Sequence, residues 1–388
     1  MTAAAPRWPS RGEWHTAVVL VLATRAAFWV VAGLAQSLLG GGAGRPVLGV
    51  QHWRRWDADI YATIAEHGYT GPAAEPWSEA FPPAWPLLLR AVSATGVPVT
   101  VAGLLLTTVA TVVAVASLIR LVDEERPRRD DAVVAGATPG TRAALFLLLF
   151  PTAVFLVAGY SEALFLAGAI PAFREARRGR WGRVALPATV AVAARWTGLF
   201  LLVGLAVELV AQLRARPDDA DRSLRRGAGA LAVATLPVLA FAAWLAGVRG
   251  DPLSFLTAQR EGWGRRFVGP VESFRATWET WAGDYPPALL LTWRLEIVAA
   301  LVGVALVVVL VRRREWGYAA FAGSTLAVYL TSSWYYSVPR ALLVLFPAVV
   351  VLADLTDGHP RAADAVVVFL APLATLGVIV FTQGGWFF

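Results

Sequence analysis

Long apolar stretches separated by short polar ones run through the whole chain. Eleven of them are candidate membrane-spanning helices, at residues 16–39, 98–122, 143–158, 162–173, 184–194, 198–213, 229–247, 293–311, 317–333, 341–356 and 364–382. A helix needs about 20 apolar residues to cross a bilayer, so we expect the shortest stretches to continue beyond these bounds. The pattern predicts an all-α polytopic membrane protein, in which residues 1–388 form one bundle of about 11 transmembrane helices.

Composition supports the membrane assignment and excludes several kinds of site. The chain is 57% hydrophobic with a mean hydropathy of +0.59, which is too apolar for a soluble domain of this size. It has no cysteine, so disulfides and thiolate metal sites are excluded. Its four histidines show no metal-binding spacing. The sequence therefore predicts no metal site.

The positive charge of the chain lies mostly in short loops. All 34 basic residues are arginine, and 21 of them fall in loops on one side of the membrane if the N-terminus is cytoplasmic. Cytoplasmic loops of membrane proteins are enriched in this way. The net charge of +7 is thus explained without a nucleic-acid partner. We expect a multi-pass protein of the cell membrane with a cytoplasmic N-terminus, and arginine with high alanine indicates a GC-rich genome such as an actinobacterial one.

Two long segments, 40–97 and 248–292, then lie outside the cytoplasm. They contain seven of the 17 tryptophans and most of the acidic residues on that side. The cytoplasmic loops carry little besides arginine, whereas these segments combine acids, arginines and aromatic residues. We therefore expect an active site on the extracytoplasmic face.

The segment 51–69 of the first loop places a carboxylate on an apolar face. As a helix from about residue 53 to 67, it brings one set of side chains within about 60° of one another: Trp53, Asp57, Ile60, Tyr61 and Ile64. Asp59 falls on the opposite side with Arg55, Ala62 and Glu66. A carboxylate in an apolar stripe costs several kcal/mol unless it has a partner or a task. Asp57 is therefore the candidate catalytic residue, and Asp59 is expected to be solvated near Arg55.

Five short elements, in order along the chain, resemble one known family. They are Arg55-Trp56-Asp57-Ala58 with Tyr61 and Gly68-Tyr69, Ala80-Phe81-Pro82-Pro83-Ala84-Trp85-Pro86, Phe150-Pro151-Thr152 through Tyr160-Ser161-Glu162-Ala163-Leu164-Phe165, Ala194-Arg195-Trp196-Thr197-Gly198, and Pro339-Arg340. This set is similar to GPI mannosyltransferase II (PIG-V) and its bacterial relatives, which also carry a segment like 259–267. Pro82 and Trp196 depart from the family pattern.

The resemblance implies a GT-C glycosyltransferase, a multi-span enzyme that takes a sugar from a polyprenyl phosphate at the outer membrane face. It implies a catalytic acid in the first outer loop, at the position of Asp57. An acceptor hydroxyl needs a base as it attacks the anomeric carbon, and a carboxylate also stabilises an oxocarbenium-like transition state. Arginines suit the phosphate leaving group, and five are expected outside: Arg195, Arg260, Arg265, Arg266 and Arg340.

The candidate substrate-binding residues are spread over the outer loops: Arg55, Tyr61, Glu79, Tyr160, Glu162, Arg195, Trp263, Arg265 and Arg340. Several have a structural alternative. Each arginine is equally well explained as an anchor at the membrane surface. Ser161 could cap the following helix while Glu162 binds no sugar. Arg25, near the middle of the first span, is either functional or part of a structural ion pair.

We thus predict an inverting mannosyltransferase that uses polyprenyl-phosphate mannose. Membrane lipids surround it, and its acceptor is a glycan, a lipid or a protein that the sequence does not identify. A monophosphate donor has no diphosphate to chelate, so we predict neither a cofactor nor a metal. A transporter or flippase is the alternative, and it would carry charges at mid-membrane and inverted repeats. A GT-C enzyme for another sugar is the second alternative.

Overall fold

A computed structural model of the chain describes residues 9–39, 49–126, 137–215, 220–284 and 287–387. Sixteen α-helices account for most of these residues: α1 Arg11–Leu39, α2 Asp57–His67, α3 Ala84–Ser93, α4 Val99–Glu125, α5 Pro139–Leu148, α6 Glu162–Arg177, α7 Ala185–Ala194, α8 Gly198–Ala215, α9 Ala220–Arg249, α10 Ser254–Trp263, α11 Pro270–Ala282, α12 Pro287–Arg312, α13 Trp316–Leu330, α14 Val338–Val344, α15 Pro347–Leu355 and α16 Pro360–Thr382. The predicted all-α polytopic class is confirmed.

Six helices of the described residues are long and apolar enough to cross a membrane, namely α1, α4, α8, α9, α12 and α16. Helices α14 and α15 together form a seventh candidate, which is bent by 75° at its break. The predicted number of eleven spans is therefore not reached. The apolar stretches at 162–173, 184–194 and 317–333 are helical, but α6, α7 and α13 have only 16, 10 and 15 residues.

The predicted span at 143–158 is wrong as a continuous helix. Helix α5 ends at Leu148, and a short 3₁₀ turn follows at Ala153–Leu156. Pro151 lies between them, and proline cannot donate the hydrogen bond that a continuing helix requires. The same chemistry separates α14 from α15, because Pro347 occupies the first turn of α15.

Arg25 of α1 stabilises this irregular segment. Its guanidinium donates hydrogen bonds to the carbonyl oxygens of Leu156 (2.6 Å) and Val157 (3.4 Å). The hydroxyls of Thr107 and Thr111 donate to the same two carbonyls, at 3.0 and 3.2 Å. Non-helical backbone inside a membrane protein needs such partners. Arg25 thus has a structural role through backbone carbonyls, and not through the ion pair considered from the sequence.

Helices α4, α6, α7 and α1 pack around the centre of the bundle. Gly168 allows α6 and α7 to approach closely, because an added Cβ would lie 2.5 Å from the carbonyl oxygen of Pro187. The candidate residues of the sequence analysis lie at one end of the bundle, where α1 ends and where α4, α6, α8 and α14 begin.

Ion pairs hold the opposite end of the bundle together. Arg174 contacts Glu124 at 2.8 Å, and Arg177 contacts Glu125 at 2.7 Å. Arg126 of α4 also reaches Glu315, which begins α13, at 3.0 Å. Several arginines that the sequence places in cytoplasmic loops therefore pair with acids here. Arg128 and the glycine-rich residues 40–44 lie outside the described residues.

The two long loops are partly helical. The first contains a 3₁₀ turn at Val50–Trp53, α2 and α3, and the second contains α10 and α11. The predicted helix from residue 53 instead begins at Asp57, because Trp56 has a φ of +53°, which α-helical backbone does not allow. Helix α12 begins at Pro287, so the second loop is shorter than the predicted 248–292.

Candidate active site

The two aspartates in the first turn of α2 differ in their exposure to solvent. The Asp57 side chain is 15% exposed, whereas that of Asp59 is 60% exposed. Asp59 forms an ion pair with Arg54 at 2.6 Å, and not with Arg55. Ala62, predicted on the solvated side, is buried, because α2 packs against both α3 and α4.

Asp57 is the first member of a chain of alternating charges. Its Oδ2 lies 2.6 Å from Nη1 of Arg340, and Nε of Arg340 donates to Oε1 of Glu162. The same Oε1 lies 2.7 Å from Nη1 of Arg195. Glu162 is fully buried and Arg340 nearly so. Two acids and two arginines from four parts of the chain therefore stabilise one another in a site that largely excludes water.

Aromatic rings and hydroxyls support this chain of charges. The Arg340 guanidinium lies 4.8 Å from the ring centre of Phe155 and 4.7 Å from that of Tyr160. Ser161 contacts the Tyr61 hydroxyl at 3.0 Å and accepts a hydrogen bond from Arg195 at 3.2 Å. Ser161 makes no side-chain capping bond to α6. Of the two alternatives that the sequence left open, capping by Ser161 is therefore not observed, and its hydroxyl contacts residues of the cavity wall.

Glu296 of α12 fixes the start of the helix that carries Arg340. Its two carboxylate oxygens accept hydrogen bonds from the backbone N–H groups of Ser337 (2.7 Å) and Val338 (2.8 Å). Ser337 has a φ of +65°, which an L-residue adopts only when its surroundings hold it there. A carboxylate is also favourable at a helix N-terminus. The sequence analysis missed Glu296, which lies inside an apolar helix.

Six of the predicted site residues line a central cavity of about 120 Å³. They are Asp57, Tyr61, Arg195, Trp263, Arg265 and Arg340. Pro82 and Trp196, the two departures from the family pattern, line it as well. Trp196 donates a hydrogen bond to the Ala80 carbonyl at 2.6 Å, so it anchors the loop that carries Pro82. Four loops that are far apart in sequence thus meet at this cavity.

Four predicted substrate-binding residues do not line it. Glu162 is buried behind the two arginines, and Tyr160 is buried with its hydroxyl donating to the Arg55 carbonyl at 3.1 Å. The Arg55 side chain lies beside Gly384. Glu79 is buried and pairs with Arg249. The structure gives these residues supporting positions around the cavity.

An apolar groove of about 870 Å³ shares Trp196, Arg265 and Tyr336 with the central cavity. Its walls include Phe200, Leu256, Phe267 and Val328, and the last three are at least half exposed. Arg260, Arg265 and Arg266 also line it, and among its described lining residues there is no acid.

A third cavity of about 670 Å³, the acidic chamber, shares Asp57, Trp263, Tyr336 and Trp386 with the central cavity. Its acidic lining residues are Asp57, Asp59, Glu75 and Glu296. No basic residue is found among the described residues that line it. The groove and the chamber therefore have opposite charge, and both adjoin the central cavity.

Arg265 lies where the central cavity meets the groove. Its guanidinium is 5.7 Å from the ring centre of Tyr329 and 5.5 Å from that of Tyr336. Unlike Arg195 and Arg340, it forms no ion pair with an acid in the part of the chain that the structure describes. Burial raises the pKa of Tyr61 and of Tyr336 to about 12, so both phenols stay neutral and able to donate hydrogen bonds.

Trp386 near the C-terminus is another residue that the sequence analysis missed. Its ring stacks on Tyr336 at 5.3 Å and contacts Trp56 edge to face at 5.1 Å. The Trp56 indole donates to the Gly385 carbonyl at 3.2 Å. The only signal for it was an aromatic residue following two glycines after the last span. Within the described residues, no group of three or more His, Asp or Glu side chains is placed to hold a metal ion.

Part of the chain matches a known protein family. Residues 48–212 match the family described as Mannosyltransferase (PIG-V). Asp57, Glu162 and Arg195 fall inside the matched range, whereas Arg265 and Arg340 lie beyond it. Among curated proteins, none matches the chain. The match covers less than half of the chain, and it supports a PIG-V-like mannosyltransferase family and, with it, a membrane glycosyltransferase activity.

Proposed function

We propose that the protein is an inverting mannosyltransferase that takes mannose from a polyprenyl-phosphate donor at the extracytoplasmic face of the cell membrane. The observation that carries the proposal is the ion pair between Asp57 and Arg340 in the wall of the central cavity. It places a candidate base beside a candidate phosphate-binding cation. Both lie at the end of the bundle that we expect, from the arginine distribution, to face away from the cytoplasm.

The apolar groove is the site that we assign to the donor lipid. A polyprenyl tail needs an apolar surface, and the exposed side chains of Leu256, Phe267 and Val328 supply one. The donor phosphate then lies at Arg265, where the groove meets the central cavity. Arg265 suits this role because it forms no ion pair with a described acid, and its Nε has no hydrogen-bond partner among the described residues. Arginine also binds phosphate with two parallel hydrogen bonds.

The reaction assigned to the central cavity is a single displacement at the anomeric carbon of mannose. The acceptor oxygen attacks C1 while its proton passes to the Asp57 carboxylate. The bond between C1 and the phosphate oxygen breaks, and the electron pair leaves with the polyprenyl phosphate. Arg340 and Arg265 stabilise the negative charge that develops on this oxygen. Attack opposite the leaving group inverts the configuration at C1.

Glu162 and Arg195 position the reacting groups in this proposal. Glu162 holds Arg340 in place from the side away from the cavity, and Arg195 balances the charge of Glu162. Arg340 therefore has two carboxylate partners in the resting site. A donor phosphate would compete with Asp57 for Arg340, which would release the carboxylate to act as a base.

A direct transfer assay tests the proposal. The purified protein is incubated with radiolabelled polyprenyl-phosphate mannose and a lipid extract of the host. We expect labelled mannose to appear in a new product, linked with the configuration opposite to that of the donor. The same assay is run with radiolabelled polyprenyl-phosphate glucose or arabinose. Transfer from one of these donors and not from the mannose donor would contradict the mannose assignment. Movement of intact donor across vesicle membranes without transfer would support a flippase instead.

A further inference from the structure

The acidic chamber is open to the same aspartate as the central cavity, but from another side. Asp57 lines the central cavity and the chamber and does not line the groove. Arg265 lines the central cavity and the groove and does not line the chamber. A molecule in the chamber therefore reaches Asp57 without passing through the groove proposed for the donor lipid.

The charge of the chamber limits what it can bind. Asp57 and Asp59 are paired with Arg340 and Arg54, but neither arginine lines the chamber. Glu75 is exposed and forms no ion pair with a described residue. An anionic group placed here would meet like charges and no lining cation, and juxtaposed like charges are unfavourable.

Aromatic residues form much of the remaining lining. Trp56, Trp263, Trp293 and Trp386 belong to α10, α12 and the segments beside α2 and the C-terminus. The indole nitrogen of Trp293 is buried and has no hydrogen-bond partner among the described residues. Because this nitrogen is closed off from solvent, the chamber offers a ligand the faces of the indole rings.

From these three observations we propose that the acidic chamber binds the acceptor, and that the end of the acceptor that receives mannose is a saccharide without an anionic group. Indole faces pack against the C–H faces of a pyranose, and carboxylates accept hydrogen bonds from its hydroxyls. The proposal rests on the proposed function, since it names the second substrate of that reaction.

The proposal also explains why the two cavities differ in charge. The donor brings a phosphate, which the arginines of the groove attract. The acceptor brings a hydroxyl, which must lose a proton to Asp57. An acceptor without a phosphate makes no ion pair with Arg265, so each substrate is directed to its own cavity. Binding in the wrong cavity is disfavoured by charge.

Photoaffinity labelling tests this assignment without requiring transfer. The probe is octyl α-D-mannopyranoside with a diazirine and an alkyne on its alkyl chain, applied to the full-length protein in detergent. We expect crosslinks in peptides of α2 and of residues 292–296. Unlabelled octyl α-D-mannopyranoside should reduce this crosslinking. Its 6-phosphate should need a concentration at least about tenfold higher for the same reduction, because a repulsion of about 1.4 kcal/mol lowers affinity tenfold.

A charge-reversing variant and a matched control sharpen the test. Glu75→Arg places a cation in the chamber and should improve competition by the 6-phosphate about fivefold or more, through a new charge-assisted contact. Glu66→Arg changes an acid of the same loop that does not line the chamber, and should leave both competitors unchanged. Trp293→Ala should weaken labelling, whereas Trp278→Ala, outside the chamber, should not.

Three results would overturn the assignment. The first is crosslinking in the groove instead of the chamber. The second is competition by the 6-phosphate that equals or exceeds that of the neutral glycoside in the unaltered protein. The third is labelling that an excess of the neutral glycoside does not reduce. Failure of the proposed function is separate from these. Specific labelling of the chamber in a protein that transfers no mannose would contradict the enzyme reaction and leave the saccharide site in place.

Discussion

Asp57 and Arg340 lie 283 positions apart in sequence and form an ion pair of 2.6 Å at the wall of the central cavity. The pair joins the first long loop to the short helix that begins the broken span. Arg340 uses a different nitrogen to contact Glu162, so one guanidinium fixes two acids. This arrangement explains why an arginine, and not a lysine, suits the position.

Arg340→Lys should therefore reduce mannose transfer even though it keeps the charge. A lysine ammonium cannot reproduce the fork that reaches both Asp57 and Glu162, and a hydrogen bond to a charged group contributes about 1.5–3 kcal/mol. We expect kcat/KM to fall at least about tenfold. Arg249→Lys is the control, since neither Arg249 nor its partner Glu79 lines any of the three cavities. Equal losses in the two variants would contradict a specific role for Arg340.

Arg265→Gln should weaken use of the donor. If Arg265 binds the donor phosphate, its loss removes charge-assisted hydrogen bonds and should raise KM for polyprenyl-phosphate mannose about tenfold to a hundredfold. Arg260 lines the same groove but is exposed and paired with Glu261 at 2.7 Å. Arg260→Gln should change this KM little. The measurement is transfer rate against donor concentration, and a larger effect at Arg260 would reassign the phosphate.

Glu296→Ala should destabilise the site from the neighbouring helix. It leaves the N–H groups of Ser337 and Val338 unpaired in a buried place, at a cost of about 1–3 kcal/mol. We expect a lower melting temperature in detergent and slower transfer, with partial recovery in Glu296→Gln. Glu272→Ala, on the exposed face of α11, is the control. Unchanged melting and transfer in Glu296→Ala would contradict the capping role.

The orientation in the membrane is testable because the chain has no cysteine. Single cysteines at the positions of Arg178, Arg222 and Arg313 should resist an impermeant thiol reagent in intact cells and react after permeabilisation. A cysteine at Glu75 should react in intact cells. The reverse pattern would place the three cavities in the cytoplasm and would contradict a donor bound at the outer face.

Periodicity within one helix was enough to separate Asp57 from Asp59, because the two side chains point to different sides of α2. The same argument failed for Ala62. It assumes a single packing face, whereas α2 packs against two helices. The apolar stretches are helical for most of their length, but the one at 143–158 is interrupted at Pro151 and the one at 341–356 is broken before Pro347.

Long-range partners could not be obtained from the sequence in this way. Nothing local to Arg340 indicates Asp57, and nothing local to Glu296 indicates Ser337, since each pair depends on how distant helices pack. Trp386 is a similar case, because it reaches the site only through the fold of the last helix. The arginine candidates were found as a group, but only packing distinguishes the paired Arg195 and Arg340 from Arg265.

Transfer by Asp57→Asn compared with Asp59→Asn tests the central claim most directly. Both changes are nearly isosteric, and both lie in the first turn of α2. If Asp57 is the base, Asp57→Asn should lose about 10²–10⁴-fold in transfer rate while it still binds donor. Asp59→Asn, which removes only an exposed pair with Arg54, should stay within about threefold of the unaltered protein. An active Asp57→Asn variant, or an inactive Asp59→Asn variant beside it, would contradict the assignment of the base.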